Sequence, residues 1–229
     1  MLQNIKSWWN YQRNAQGKYY LHSPFVYQFY LQILESAPDE KCLAIDKELF
    51  KLKQNHSPLQ NTSVSQFANQ ELELKYGKII YQLLKQSKAQ YILDLHSTLG
   101  ISTAYLASSK HDIVVTTIGE KQDYAKDVHQ SLGLKNVDYI SFLTDEMLAN
   151  FPRLDVVFGS AKNAQFFSKF LPYAHSETMF IINDIHANEE TERIWNDIKA
   201  NEKVTLTIDL FKIGLVFFAR RIWRKRILF

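Results

Sequence analysis

From about residue 90 onward, short apolar runs alternate with stretches of helical period. The runs are Tyr91-Ile92-Leu93, Ile113-Val114-Val115, Val137 to Phe142, Val156-Val157-Phe158 and Met179 to Ile182. Between them, Ile101 to Ser109, Gln122 to Leu132, Asn163 to Leu171 and Glu189 to Ala200 space their apolar residues as helices do. Continuous apolar strands separated by helices predict a parallel sheet covered on both faces. Right-handed crossovers make such a sheet doubly wound. Two further β-rich runs, Val204 to Leu210 and Ile213 to Phe218, are joined by a short connection with no helix. They predict an antiparallel hairpin that closes the sheet. The expected fold is therefore α/β: a doubly wound, seven-stranded sheet, mostly parallel, with a C-terminal antiparallel hairpin.

The first seventy residues follow another pattern. Trp8, Trp9, Tyr11, Tyr19, Tyr20, Phe25, Tyr27, Phe29 and Tyr30 crowd the start. Ser23-Pro24 reads as a helix start, with Ser23 as N-cap and Pro24 at the first helical position. The helix is expected through Val26, Phe29, Tyr30 and Ile33, ending before Ala37-Pro38. The aromatics read as core and docking residues, with a wall of a substrate pocket as the alternative. Lys53 to Gln70 is polar and reads as a loop or linker. Ile79, Ile80, Leu83 and Leu84 predict another amphipathic helix. The expected organisation is an N-terminal helical extension and polar linker over 1–70, followed by the α/β domain over 71–229.

Composition narrows the chemistry. A lone cysteine, Cys42, excludes an internal disulfide and argues against a cysteine-based zinc site. Neither a signal peptide nor an apolar stretch of about 20 residues for a membrane helix is apparent, and a cytoplasmic location is expected. The chain has only 7 glycines in 229 residues, where average usage gives roughly 16. Gly-rich phosphate cradles need more, and neither a P-loop nor a G-x-G-x-x-G motif occurs. The net charge of +3 is concentrated at the end, in Arg220, Arg221, Arg224, Lys225 and Arg226. This tail reads as a solvated terminus packing its apolar residues on the sheet edge. A weak contact with an anionic membrane surface is the alternative, and no nucleic-acid partner is expected.

Ligands of open α/β sheets bind beyond the carboxyl ends of the strands. The first strand of the regular region ends in Asp94-Leu95-His96-Ser97-Thr98-Leu99-Gly100-Ile101-Ser102-Thr103. This segment resembles motif I of the class I S-adenosylmethionine-dependent methyltransferases, in the O-methyltransferase-like branch. His22-Ser23-Pro24-Phe25, Val64-Ser65-Gln66, Lys75-Tyr76-Gly77, Leu132 to Asn136, Asn183 to His186, Val204 to Asp209 and Gly214 to Phe218 resemble one bacterial subfamily of it. The resemblance implies a Rossmann-like sheet, S-adenosylmethionine as cofactor and a small-molecule methyl acceptor, most naturally a hydroxyl. It implies that Asp94 orders the loop, that Gly100 and Ser102 hold the carboxylate end of the cofactor, and that Ser97 and Thr98 border it. Glu120 then takes the ribose, and Asp184 or His186 orients or deprotonates the acceptor. A capping role for Asp184 and a packing role for His186 are the alternatives.

Several positions depart from the family pattern. His96 replaces the first glycine of the loop. Gly119-Glu120 reverses the order in which relatives carry an acid after strand two. Phe142-Leu143 stands where they carry Gly-Asn or Gly-Asp after strand three, and Ser160 and Asn163 replace an acid and a histidine after strand four. Asn183 replaces an acid after strand five. With Ser160 and Asn183 a divalent-ion site loses most of its charge, so no metal is expected. These departures keep a second expectation open: a catalytically inactive protein with this fold, serving as a binding or scaffold module. The acceptor and the oligomeric state are not legible in the sequence.

Overall fold

The structure is a computed structural model that describes Tyr27, residues 30–34, Ala37, and residues 39–119, 122–163, 165–218 and 225–228. Contacts divide the chain into two compact units, one of them Gln28–Phe151 and the other containing Pro152–Phe229.

The unit Gln28–Phe151 begins with a π-helical turn, Tyr30–Leu34, where a helix through Ile33 was expected. Helix α1 (Glu40–Gln54) follows. Asp39 caps it by accepting the Lys41 N–H, and it buries Cys42, Ile45, Leu49 and Leu52. The polar stretch expected as a loop contains structure: strands β1 (Pro58–Leu59) and β2 (Thr62–Ser63) form a small antiparallel hairpin. Gln60 makes its turn at φ 55°. Helix α2 (Val64–Ala68) comes next, N-capped by Ser63, and then helix α3 (Leu74–Gln86), which buries Ile79, Ile80, Leu83 and Leu84 as its spacing predicted.

Strands β3 (Tyr91–Asp94), β4 (Val114–Ile118) and β5 (Val137–Ile140) lie parallel in that order. Helix α4 (Ile101–Ser108) is buried along its whole length. Helices α5 (Gln122–Ser131) and α6 (Asp145–Ala149) complete the unit; α6 was not expected. Cys42, Ile45, Tyr81, Leu99, Ile101 and Tyr105 share one core cluster. At Gly77 a Cβ would lie 2.3 Å from the Tyr105 ring, so the glycine lets α3 and α4 approach.

In the other unit, β6 (Val156–Ser160) and β7 (Met179–Asn183) are parallel. Every residue of both strands is buried, which is why both read as unbroken apolar runs. Strand β9 (Ile213–Phe217) is antiparallel to both β7 and β8 (Leu206–Asp209), giving the expected hairpin. A short strand, β10 (Lys225–Leu228), adds parallel to β8 beyond the seven predicted strands. The helices are α7 (Phe166–Phe170), continued by a 3-10 turn, and α8 (Glu189–Ala200), opened by an Asn188–Thr191 capping box. Phe180 packs against Phe166, Phe167 and Phe218.

The seven predicted strands all form, and the chain has the Rossmann-like α/β fold class. The expected helix start at Ser23-Pro24, the aromatics from Trp8 to Tyr20, Phe25 and Phe29, and the tail residues Arg220, Arg221 and Arg224 lie outside the described residues.

Candidate functional site

Strand β3 ends on Asp94, which has no exposed surface. A buried carboxylate must find donors, and the following loop supplies them. The His96 N–H donates to Oδ1 at 2.9 Å, and the Thr103 hydroxyl lies 2.6 Å from Oδ2. The Ser102 hydroxyl stands farther off at 3.4 Å, and Ser97 Oγ is 3.0 Å from Thr103 Oγ1. Burial raises the Asp94 pKa above the usual carboxylate range, and these hydrogen bonds oppose the rise. Asp94 thus ties the loop to the first turn of α4.

Gly100 caps α4 at φ +92°. A Cβ there would meet Ala125 Cα and His129 Nε2, each at 2.8 Å. Packing against α5 therefore requires this glycine, whatever the loop binds. The Gly100 carbonyl accepts a hydrogen bond from His129 Nε2 at 2.8 Å, and His129 Nδ1 lies 2.5 Å from the Tyr139 hydroxyl. Those partners assign the Nε2–H tautomer, and burial lowers the His129 pKa. Gly119 passes beneath the loop, where a Cβ would lie 2.8 Å from the Ser97 carbonyl oxygen. His96 and Thr98 are half-buried, and Glu120 lies outside the described residues.

Glu71 is a member of this site that sequence reasoning did not find. It lies between α2 and α3, and its carboxylate accepts the Leu99 N–H. The backbone N–H groups of Ser102 and Leu72 also bond to it. An acid at the positive end of a helix is favourable. Here, however, desolvation dominates and pushes the Glu71 pKa up to about 7, with the Asp94 charge adding to the rise. A glutamate in a polar sequence carries no signal of such burial.

The other unit places the two proposed acceptor-side residues in separate clusters. Asp184 follows β7 in the left-handed region, φ 62°. Its Oδ2 receives the Lys162 ammonium at 2.8 Å and the Ser160 hydroxyl at 3.3 Å. Asn183 is buried, and its carbonyl accepts the Ala161 N–H at 2.9 Å. His186 turns to a different acid. Its Nε2 lies 2.9 Å from Asp209 Oδ2, which also accepts Trp195 Nε1–H at 2.8 Å. The imidazole stacks on Phe211, and Nδ1 is buried without a hydrogen bond, 3.6 Å from the Glu192 carboxylate. Lys162 and Asp209 were not singled out by sequence. Among the described residues, no group of three or more His, Cys, Asp or Glu side chains could hold a metal ion.

No family model and no curated protein matches the chain. Solved structures do. An SAH-bound methyltransferase of Podospora anserina superposes with a TM-score of 0.63 at 10% identity, over 86% of this chain and 97% of that one. An O-methyltransferase of Bacillus cereus in complex with SAH gives 0.59 at 17% identity, over 82% and 95%. TomG, an O-methyltransferase of Streptomyces achromogenes involved in tomaymycin synthesis and solved with SAM, gives 0.57 at 14% identity, over 83% and 94%. The chain has the class I methyltransferase fold.

On this methyltransferase fold the loop after β3 can be tested against an adenosyl cofactor. The tied acid Asp94 and the left-handed Gly100 fit the expected loop. The position for the carboxylate end is taken in the ligand-free protein, because Glu71 already lies on the backbone donors of Leu99 and Ser102. No helix among the described residues is long and apolar enough to cross a membrane.

Proposed function

We propose that the chain is an S-adenosylmethionine-dependent methyltransferase that methylates an oxygen of a small molecule. The observation that carries this reading is the tied loop from Asp94 to Thr103 at the carboxyl end of β3, on a methyltransferase fold. When bound, the cofactor supplies an electrophilic methyl group on a sulfonium. The chain's own residues bind and orient. Asp94 holds the loop against α4, and Ser97, Thr98, Gly100 and Ser102 border the bound molecule, with Glu120 on its ribose.

In the other unit, Asp184 is the group for the acceptor hydroxyl, held by Lys162 and Ser160. His186 has its Nε2 engaged by Asp209 and a buried Nδ1, which favours a positioning role. The Lys162 ammonium puts a positive charge on Asp184 without a divalent ion. The proposal includes a cytoplasmic location, an extension over 1–70 and the methyltransferase domain over 71–229.

Glu71 favours a second reading, a methyltransferase fold kept as a binding or scaffold module. Ser160 and Asn183, in place of acids, point the same way. Calorimetry with S-adenosylmethionine and SAH separates the two. Saturable binding, followed by methyl transfer to a hydroxylated acceptor that Asp184→Asn abolishes, supports the enzyme. Absence of binding at millimolar ligand leaves the module.

A further inference from the structure

A carboxylate of the chain itself sits on backbone donors that a ligand's carboxylate would use. Glu71 reaches from the α2–α3 connection to the first turn of α4. It accepts the Leu99 N–H and bonds to the backbone of Ser102 and Leu72. Helix α4 is fully buried, and its N-cap Gly100 makes no side-chain capping bond. The free donors at its start therefore need an acceptor from elsewhere. Two carboxylates cannot share those donors, because a second negative charge in a desolvated position is strongly disfavoured. Asp94, the other acid facing Glu71, already contributes one such repulsion.

We propose that Glu71 is the resident occupant of the anion position at the start of α4, and that a ligand carboxylate binds there only when Glu71 has left. The cofactor reading above enters only in naming the ligand; the occupancy is a property of the free protein. Glu71 then acts as an autoinhibitory contact. It lowers the affinity for the amino-acid end of an adenosyl ligand and leaves the nucleoside end untouched.

Two probes separate these ends. SAH carries the amino-acid carboxylate, and 5′-methylthioadenosine carries the same nucleoside thioether without it. Calorimetry on the full chain should show Glu71→Ala tightening SAH by about tenfold or more while methylthioadenosine is unchanged, since the variant removes the occupied state that competes. Backbone amide NMR of the ligand-free protein supplies the second readout. The Leu99 and Ser102 amides should shift in Glu71→Gln, a variant close in shape to the native residue.

Equal SAH affinity in wild type and Glu71→Ala overturns the inference while leaving the methyltransferase reading intact. Failure of every variant to bind either probe removes that reading; the occupancy then stands if the two amides move. Amides that stay in place in Glu71→Gln overturn the occupancy whatever the ligands do.

Discussion

Replacing Glu71 by glutamine should change how stability depends on pH. Burial raises the Glu71 pKa from 4.5 to about 7, so the folded state holds this proton more tightly than the unfolded chain does. The sign follows from linkage: the stabilisation is complete below the unfolded pKa and is lost as pH rises through the folded one. At about 1.4 kcal/mol per pKa unit, the shift corresponds to a loss of about 3 kcal/mol between pH ~4.5 and pH ~8. Glutamine is neutral throughout and cannot follow this change. Asp94 is also raised and titrates in both proteins, so the comparison subtracts most of its contribution.

The assay is urea unfolding of wild type and Glu71→Gln across that range at fixed ionic strength. The glutamine amide turns a donor toward one of the backbone N–H groups, which offsets the two curves by a constant. The informative quantity is the slope of their difference. Wild type should lose about 2–3 kcal/mol relative to the variant as Glu71 ionises. A difference that stays flat would refute burial as the dominant influence on this carboxyl.

Gly214→Ala would place a Cβ 2.6 Å from Cη2 of Trp195, a side chain with no exposed surface. Overpacking of this kind costs about 1–3 kcal/mol, and an unchanged melting temperature would show that β9 and α8 can separate freely. Asp209→Asn keeps the shape of a buried residue that accepts the Trp195 indole N–H, the Phe211 N–H and a bond from His186. Its amide must turn a donor toward at least one of those donors, so urea unfolding should show a loss of about 1–3 kcal/mol. Wild-type stability in that variant would mean that these donors find water.

The parts of the fold legible in sequence are those with a local signature. Strands β6 and β7 are buried on both faces, so each shows as an unbroken apolar run. The hairpin of β8 and β9 shows because no helical period separates its strands. Helix α1 has a weak local signature because charged residues fill seven of its fifteen positions and four of its residues are buried. Strands β1 and β2 are two residues each, and Gln60 takes a left-handed turn without the glycine that would announce it.

The candidate site divides in the same way. Asp94 and Gly100 belong to one continuous segment, which marks them as members of one loop. Glu71 is 28 residues from its partner Leu99, and Asp209 is 23 from His186. Nothing local marks either acid as the partner of a distant group. The segment shows nothing of Gly100's close packing on Ala125, which appears only once α5 is in place.

The burial of Cys42 turns the protein into its own recorder of opening. The thiol is 1% exposed on the inner face of α1, and burial pushes its pKa up to about 11. Only a thiolate that meets solvent reacts with a disulfide reagent. With no second cysteine in the chain, every labelling event reports the release of α1 from the core. Labelling rates followed against denaturant would then show whether this helix lets go before the rest of the molecule or together with it.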